Sequence, residues 1–579
     1  RRVRDFLFRD PYALWYERSH PLSAEYTHDP EPIPFRDLHK RAWTPIILGE
    51  RWGGAWESAW FRFSGQVPRD WRDGEVCALV DTASEALVFS TDGVPFAGLT
   101  SREQRSDPLW RKGLVLLRQK AGERVELLVE AAANAMFGYT AECRLREARL
   151  VLLRRDRWDL WHDVHFLLDL WETLPEDHLR RARIMHVLNA VMNLWSDGGP
   201  ENVRACRMML SGQLSRQANA SAHRVSAIGH AHIDVAWMWP LRETVRKTAR
   251  TFATALRMME EYPGYVFGAS QAQLYEFVKN HHPELYRKVK ERVTQGRWEV
   301  QSAMWVEADT NLAGGESLVR QLLFGKRFSL REFGVDVQVL WMPDVFGYSG
   351  ALPQLLRLAG VHYFMTQKLC WNQYNKFPYY TFRWEGIDGT AVFAHFPPAD
   401  TYNGNARPQE LAYGTRNFSQ KDRTDRWLYV FGVGDGGGGP GRHHLEFIKR
   451  AADCEDLPRV TQEPAATFFK RAEQTIQDPP VWRGELYFEC HRGTLTTQAY
   501  NKKMNRWCEA LLRDIELLAV FSGGAYPRER INALWKIVLL NQFHDILPGS
   551  SITWVYRDSR EQYERVRTEG TALLSEIME

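Results

Sequence analysis

The sequence predicts a multidomain protein in which a central α/β domain lies between an N-terminal β-rich domain and C-terminal helices. A chain of 579 residues is too long for one hydrophobic core. Short strand-like runs fill residues 43–155, strands and helices alternate from about residue 223, and helical periodicity dominates from about residue 484. We therefore expect four segments, at 1–155, 156–222, 223–483 and 484–579.

The composition indicates which kind of protein this is and in which cellular compartment we expect it. The chain is 44% hydrophobic and 25% charged, with a formal net charge of +3, which is typical of a globular protein without a nucleic-acid surface. Its seven cysteines are scattered and form no Cys-x-x-Cys pair, which favours reduced thiols in the cytoplasm. No signal peptide or membrane-spanning run is evident. We expect a cytoplasmic protein that binds neither nucleic acid nor membrane, and homo-oligomerisation stays open.

The first segment has the pattern of a β-sandwich. Apolar and polar residues alternate over Trp60–Phe63, and turn residues interrupt the runs Val76–Phe89 and Val125–Val129. Short strands at this spacing are typical of two packed antiparallel sheets. We expect an architectural domain, with carbohydrate binding as the alternative. Residues 156–222 then change to helical spacing and are interpreted as a helical connector.

Repeated strand–helix units in residues 223–483 indicate a mostly parallel sheet or barrel. Strands are predicted at 225–228, 265–267, 298–300, 337–341, 363–365 and 427–431. The carboxyl ends of parallel strands meet at one edge, where α/β proteins build their sites. Carboxylates follow several of these strands, namely Asp234, Asp309, Asp344 and Asp435. Any one of them alone is also consistent with a helix N-cap.

The stretch from His230 to Trp237 follows the first strand of this segment. His232 and Asp234 are two residues apart, so extended backbone projects both side chains to one side. An imidazole and a carboxylate converging there can bind a divalent metal. A capped helix start with merely buried histidines is the alternative.

The glycine-rich run Gly434–Pro440 lacks the Lys-Ser/Thr of a phosphate loop, so we do not expect a nucleotide site. We expect its glycines to let the backbone approach a bulky ligand, with Asp435 exposed among them.

Residues 484–579 predict a three-helix bundle. Apolar stripes begin at Met504 and Ile531, and a charged helix starts at about Arg557. His544 stands at the end of the second helix, where it could reach a metal. An ordinary C-terminal histidine favoured by the helix dipole is the alternative.

Taken together, these motifs resemble glycoside hydrolase family 38, the α-mannosidases, in its cytosolic and vacuolar branch. The matching stretches follow the family order, and they are His230–Trp237, Trp305–Asp309, Trp341–Ser349, Gly434-Asp435, Glu489–Thr494 and Gln542–Asp545. The resemblance implies a seven-stranded β/α barrel in the central segment. We also expect the C-terminal β-domains of the family to be absent from this chain.

The resemblance implies a retaining exo-α-mannosidase that removes terminal α-D-mannose from oligosaccharides by metal-assisted double displacement. One divalent ion, Zn²⁺ or alternatively Co²⁺, would be held by His232, Asp234, Asp309 and His544. Asp309 would also be the nucleophile. Asp435 is the candidate acid/base, with Asp344 as the alternative. The substrate-binding residues would be Trp237, Asp344, Tyr348, Arg492 and Asp545.

Two other functions use similar residues. A metal-dependent polysaccharide deacetylase would employ a metal-bound water in place of Asp309. A non-catalytic sugar-binding protein would use the metal only to grip its ligand. Release of mannose without acetate, and covalent trapping at Asp309, distinguish the α-mannosidase from both.

Overall fold

The computed structural model describes residues 1–101, 112–134, 136–138, 143–195 and 199–579. The chain opens with two short helices, α1 (Arg2–Phe8) and α2 (Pro11–Trp15). Asp10 caps α2, because its carboxylate accepts a hydrogen bond from the amide of Ala13 at 3.0 Å.

The N-terminal region forms two large antiparallel sheets and one small two-stranded antiparallel sheet. Its strands are β1 (Tyr16–Pro21), β2 (Ser23–Asp29), β3 (Thr44–Pro45), β4 (Arg51–Gly53), β5 (Ser58–Gln66), β6 (Glu75–Asp81), β7 (Glu85–Phe89), β8 (Pro95–Thr100), β9 (Leu114–Leu116), β10 (Arg124–Ala132), β11 (Cys143–Arg144) and β12 (Glu147–Leu153). One large sheet has the order β1-β12-β6-β9 and the other the order β3-β2-β5-β10-β7-β8, with antiparallel pairing throughout. Strands β4 and β11 pair with each other as the small sheet. The predicted β-sandwich is confirmed.

Successive side chains of these strands enter two different cores. Phe61 and Val88 lie in the apolar core of the sandwich itself. Their neighbours Trp60 and Leu87 point the other way and join the core that continues into the helices and the central domain. Because side chains alternate between the two faces of a strand, both faces here are buried. The sandwich is therefore packed against the rest of the chain.

Three helices follow, α3 (Arg155–Thr173), α4 (Leu179–Leu194) and α5 (Pro200–Leu214). Helix α3 is ion-paired to the central domain along its length. Asp163 lies 2.7 Å from Arg450, and Asp169 lies 2.6 Å from Arg407. These pairs are largely buried, so α3 is fixed to the central domain and is not an exposed linker.

The central domain is mixed α/β. Its strands are β13 (Arg224–His230), β14 (Phe267–Ala269), β15 (Trp298–Val300), β16 (Val339–Trp341), β17 (Tyr363–Met365), β18 (Thr381–Glu385), β19 (Ala391–His395), β20 (Arg426–Phe431), β21 (Arg459–Gln462) and β22 (Val481–Arg483). Its helices are α6 (Leu241–Glu261), α7 (Ala272–His281), α8 (Pro283–Thr294), α9 (Gly315–Phe333), α10 (Leu352–Leu358), α11 (Pro408–Asn417), α12 (Arg442–Ala451) and α13 (Ala465–Thr475).

Hydrogen bonds join these strands into two five-stranded sheets. One has the order β15-β14-β13-β20, with β21 also paired to β13, and the other has the order β16-β17-β19-β18-β22. All pairings are parallel except that of β18 with β19. The mostly parallel α/β character agrees with the prediction. One closed seven-stranded barrel is not confirmed, because the described ladders do not connect the two sheets.

The chain ends with three long helices, α14 (Ala499–Phe521), α15 (Arg528–Asn541) and α16 (Thr553–Met578). Helix α16 starts earlier than the predicted Arg557. The predicted stripes of α14 and α15 face inward, and Leu512 and Trp535 are fully buried. The Ser559 hydroxyl of α16 donates to Asn501 of α14 at 2.9 Å. Across the described parts of the chain, no helix has the length and hydropathy to cross a bilayer.

Candidate active site

In the stretch from His230 to Trp237, His230 has a structural role, whereas His232 and Asp234 belong to the candidate site. His230, the last residue of β13, donates its Nδ1 proton to the carbonyl of Gly268 at 2.9 Å. Its Nε2 accepts a hydrogen bond from the Trp341 indole at 3.2 Å. His230 thus connects the two sheets. His232 and Asp234 follow beyond the strand end, and both are buried.

Backbone pairing brings the C-terminal helices to the same place. The segment around Ala308 forms an antiparallel bridge with the segment around Phe543. The Asp309 amide donates to the Gln542 carbonyl at 2.9 Å, and the His544 amide donates to the Glu307 carbonyl at 3.2 Å. His544, just beyond the end of α15, therefore points into the central domain.

Two imidazoles and two carboxylates converge there. Ligand-type atoms of His232, Asp234, Asp344 and His544 all lie within 4.8 Å of one another. His232 Nε2 is 2.9 Å and His544 Nε2 is 3.5 Å from Asp234 Oδ1. His544 Nε2 is also 3.8 Å from Asp344 Oδ2. The structure therefore contains a buried group that could hold a metal ion.

The donor set fits such an ion. His544 Nε2 is buried and has no hydrogen-bond partner among the described residues, although carboxylate oxygens face it. The two imidazole rings are nearly parallel, with centroids 5.4 Å apart. Nitrogen and carboxylate ligands in a buried, negatively charged setting suit a divalent transition metal.

The surrounding carboxylates perturb one another. Burial, together with the charges of Asp234 and Asp344, raises the pKa of Asp435 to about 7. Burial and the charge of Asp234 raise the pKa of Asp545 to about 7 as well. Burial favours a raised pKa for Asp234 also, but the neighbouring His232 imidazolium outweighs it and lowers this pKa. A cation in the group would offset the mutual repulsion.

This group opens onto a cleft with a volume of about 590 Å³. A cleft of this size is large enough for a sugar ring and its neighbour. Its walls combine acidic, aromatic and small residues: Asp234, Trp237, Asp344, Phe346, Lys368, Trp371, Tyr402, Asp435, His491, Gly493, Thr494, Thr497, Asp545, Gly549 and Ser550.

Asp435 enters the cleft from the glycine-rich loop after β20. Its backbone is left-handed, with φ of +51°, which Asp tolerates better than most residues. The Tyr402 hydroxyl donates to its Oδ1 at 2.8 Å. The loop is anchored from outside as well, since Lys112 of the N-terminal region donates to the Gly437 carbonyl at 2.7 Å. Asp435 is thus held in place and half-buried.

We call His232, Asp234, Asp344 and His544 the metal-type group. Asp309 lies beside this group but is not one of its four members. Its Oδ1 accepts hydrogen bonds from the amides of Asn311 at 2.9 Å and Leu312 at 2.6 Å. Burial raises the pKa of Asp309, and these amides and the nearby His544 partly offset the rise. The group instead contains Asp344, whose other oxygen accepts from Lys368 at 2.6 Å.

Comparison with known proteins agrees with this arrangement. Residues 222–485 match the N-terminal domain of glycosyl hydrolases family 38, residues 489–579 match the alpha-mannosidase middle domain, and residues 20–151 match the alpha-mannosidase jelly roll domain. The chain belongs to glycosyl hydrolase family 38. The family predicted from the sequence is therefore confirmed.

Relatives of known name cover nearly all of the chain. Alpha-mannosidase 2C1 from Homo sapiens is 37% identical over 94% of this chain and 54% of its own length. Alpha-mannosidase G from Dictyostelium discoideum is 36% identical over 100% of this chain and 54% of its own length. The chain thus spans about half the length of these relatives. The match to 2C1 supports the predicted branch of the family.

A solved structure shares the fold. The alpha-mannosidase from Enterococcus faecalis V583 superposes with a TM-score of 0.54 over 62% of this chain and 42% of that protein, at 22% identity. At this identity, the likeness concerns the fold alone.

The predicted substrate residues of this family 38 chain fall into two sets. Trp237, Asp344 and Asp545 line the cleft. Tyr348 does not, because its buried hydroxyl is bonded to the Met342 carbonyl at 2.8 Å and to Thr366 at 2.6 Å. Arg492 is exposed and donates to Gln373 at 3.2 Å, outside the residues that line the cleft.

Sequence reasoning missed three residues of the site. Lys368 follows strand β17, and its position after a strand end is the same signal that the carboxylates give. Glu307 lies two residues before Asp309 in the stretch Trp305–Asp309, and that spacing marks it. Tyr402 lies in an irregular segment between β19 and α11, and no local pattern marks it.

Proposed function

We propose that the whole protein is a retaining exo-α-mannosidase that removes terminal, non-reducing α-D-mannose from oligosaccharides. The observation that carries this proposal is the joining of a metal-type His/Asp group to further buried carboxylates in one cleft of a family 38 chain. A glycosidase of this class needs two carboxyl groups, one to attack the sugar and one to exchange a proton. Relatives named alpha-mannosidase support the choice of sugar.

We propose one divalent ion, with Zn²⁺ as the first choice and Co²⁺ as the alternative. His232, Asp234 and His544 would hold it through two nitrogens and a carboxylate, a donor set that suits both ions. When bound, the ion supplies positive charge that orients sugar hydroxyls and the attacking carboxylate.

Asp309 remains our proposed nucleophile and fourth ligand. Two backbone amides fix its Oδ1, and no described residue donates a hydrogen bond to its Oδ2. A carboxylate held by one oxygen can present the other in a constant direction, which is what attack at an anomeric carbon requires. The charge of Asp344 is already neutralised by Lys368. For this reason we assign Asp344 to the binding of sugar hydroxyls.

Asp435 is our proposed acid/base. A pKa raised to about 7 keeps a carboxyl protonated near neutral pH, so that it can donate to the leaving oxygen. After departure of the leaving group, the same residue would take a proton from water as the glycosyl–Asp309 ester is hydrolysed. Asp344 remains the alternative.

For substrate contacts we propose Trp237, Asp344 and Asp545. Trp237 offers an aromatic face to the apolar side of a sugar ring. Tyr348 would act indirectly, because its hydroxyl supports the Met342 carbonyl next to the segment that carries Asp344. Arg492 lies over the ring of Tyr374, at 5.6 Å, and would contribute only to a longer substrate.

The finer architecture is also proposed. The two central sheets would complete a seven-stranded β/α barrel in residues 223–483, and helices α14–α16 would form a three-helix bundle in residues 484–579. Residues 1–155 and 156–222 would be the sandwich and the helical connector. We further propose a cytoplasmic protein without nucleic-acid or membrane partners, on the strength of its charge and cysteine pattern.

Metal analysis together with an aryl α-mannoside assay on the whole protein tests the function. We expect one divalent ion per chain and release of the phenol and of α-mannose. Labelling of Asp309 by a fluorinated mannoside that forms a slow covalent adduct would exclude a sugar-binding protein. Acetate release from an acetylated glycan, without mannose release, would point to a deacetylase instead.

A further inference from the structure

Glu307 contacts both histidines of the metal-type group. Its carboxylate Oε2 lies 3.1 Å from His232 Nδ1. Its backbone carbonyl accepts a hydrogen bond from His544 Nδ1 at 2.9 Å. The same carbonyl accepts the His544 amide at 3.2 Å. One buried residue therefore touches the Nδ1 atoms of two side chains that come from different parts of the chain.

These contacts favour a proton on Nδ1 of each ring and leave Nε2 available to bind a metal. An imidazole that gives its Nδ1 proton to an acceptor keeps the Nε2 lone pair for a metal. Both Nε2 atoms face the same oxygen, Asp234 Oδ1, at 2.9 and 3.5 Å. Ligands of bound metals in proteins are commonly oriented in this way by a carboxylate or a carbonyl behind the histidine.

The carboxylate of Glu307 is itself fixed. The Ser270 hydroxyl donates to its Oε1 at 2.6 Å. Its amide donates to the side chain of Gln271 at 3.2 Å, and Gln271 in turn donates to the Ile233 carbonyl at 2.9 Å. Glu307 is thus attached both to the end of β14 and to the stretch that carries His232 and Asp234.

Nothing else in the described part of the chain compensates its charge. No described Lys or Arg is ion-paired with Glu307, and the ring of His232 is the group that faces its Oε2. Among the described residues, Oε2 and His232 Nδ1 have no hydrogen-bond partner, and the 3.1 Å between them is a close polar contact. Burying a carboxylate without a charged partner costs free energy of folding. A histidine ring polarised by a bound cation would offset this cost.

We infer that Glu307 is a positioning residue, which holds the Nε2 atoms of His232 and His544 toward the metal through its side chain and its carbonyl. The inference rests on the proposed metal site and extends it to a residue behind the ligands. Glu307 need not touch the substrate. Its role is to set the direction and basicity of the His232 ring, so it acts on metal affinity first and on turnover only as a consequence.

Glu463 provides a matched control. It is a buried glutamate of the same domain that accepts a hydrogen bond from a strand serine, Ser226, at 2.6 Å, as Glu307 does from Ser270. It contacts neither histidine. The comparison uses Glu307→Ala, Glu307→Gln and Ser270→Ala against Glu463→Ala and Glu463→Gln, all in the whole protein stripped of metal by a chelator.

The probe is Co²⁺, measured by titration and by its visible absorption, with the circular dichroism of each metal-free variant as a check on folding. We expect Glu307→Ala to weaken Co²⁺ binding by about 10–100-fold and to alter the Co²⁺ spectrum. Glu307→Gln should weaken it less, because an amide oxygen can face His232 Nδ1 from the same position. Ser270→Ala should lie nearer the wild type, and the Glu463 variants should bind Co²⁺ normally.

The outcomes separate the inference from the proposed function. Failure of the wild type to bind Co²⁺ contradicts the metal site itself. Wild-type affinity and an unchanged spectrum in folded Glu307→Ala overturn the role of Glu307 and leave the metal site standing. If Glu307→Ala does not fold, Glu307→Gln decides: unchanged affinity and spectrum there contradict the inference, and weaker binding with an altered spectrum supports it.

Discussion

His544 Nε2 lies 3.5 Å from Asp234 Oδ1, although His544 follows the C-terminal helix α15 and Asp234 follows the central strand β13. The bridge between Ala308 and Phe543 joins the segment that carries His544 to the Ala308 segment of the central domain. An ion bound between these residues would attach the C-terminal helices to the central domain. Metal binding and the stability of this contact are therefore expected to be linked.

Metal removal should destabilise the protein. An ion present at a hundred times its Kd stabilises the folded state by about 2.7 kcal/mol, so chelation should lower the melting temperature. His544→Ala should abolish most of this metal-dependent shift, because it removes a ligand. The exposed His281→Ala, at the end of α7, should retain it. An equal shift in both variants, measured by calorimetry with and without metal, would contradict the role of His544.

Asp309→Asn should remove nearly all turnover. Loss of a nucleophile costs several orders of magnitude, and we expect less than roughly one-thousandth of wild-type kcat on an activated aryl mannoside. The amide can still occupy the same space and accept the hydrogen bonds of Asn311 and Leu312, so the fold should survive. Turnover above a tenth of wild type, about 1.4 kcal/mol of barrier, would defeat the assignment.

Asp309→Asn and Asp344→Asn should differ in metal content. If Asp309 is the fourth ligand, Asp309→Asn weakens metal binding and Asp344→Asn mainly raises KM. Loss of the Asp344 charge leaves Lys368 buried without its partner, so a lower melting temperature is also expected there. Metal analysis after dialysis checks both. The reverse pattern, with metal lost only from Asp344→Asn, would make Asp344 the ligand.

Local patterns predicted much of this fold. Alternation in Trp60–Phe63 and helical stripes such as that of α14 depend on neighbours in sequence, so the sandwich and the long helices could be anticipated. Strand β22 could not, because it has three residues and pairs with β18, which is distant in sequence. For β18 and β19, the Asp388-Gly389 dipeptide between them is a hairpin signal in the sequence.

The site was only partly predictable from the sequence, because several of its contacts join residues that are distant in the chain. His232 and Asp234 share one strand end, so their spacing alone suggested convergence. The meeting of His544 with Asp344 depends on tertiary packing, and no local spacing encodes it. The same holds for Lys368, which neutralises Asp344, and for the hydroxyl of Tyr402, which reaches Asp435 from a segment with no regular structure.

Asp435→Ala should affect substrates according to their leaving groups. A sugar leaving group must be protonated as the bond breaks, whereas a dinitrophenolate need not be. We therefore expect disaccharide cleavage to slow far more than dinitrophenyl mannoside cleavage. Azide should restore part of the turnover by attacking the glycosyl–Asp309 ester, giving α-mannosyl azide. Equal slowing without azide rescue would mean that Asp435 only binds substrate, and the same assays on Asp344→Ala would then test the alternative acid.

The pH dependence supplies a second test of Asp435. A general acid works while protonated, so disaccharide cleavage should fall as pH rises through its pKa. Burial and the charges of Asp234 and Asp344 raise the pKa of Asp435 to about 7, and a bound cation lowers it again, so this fall should lie at or below about pH 7. The Tyr402 hydroxyl stabilises the ionised carboxylate, and Tyr402→Phe should therefore move the fall to higher pH. A fall unaffected by Tyr402→Phe would assign it to another group.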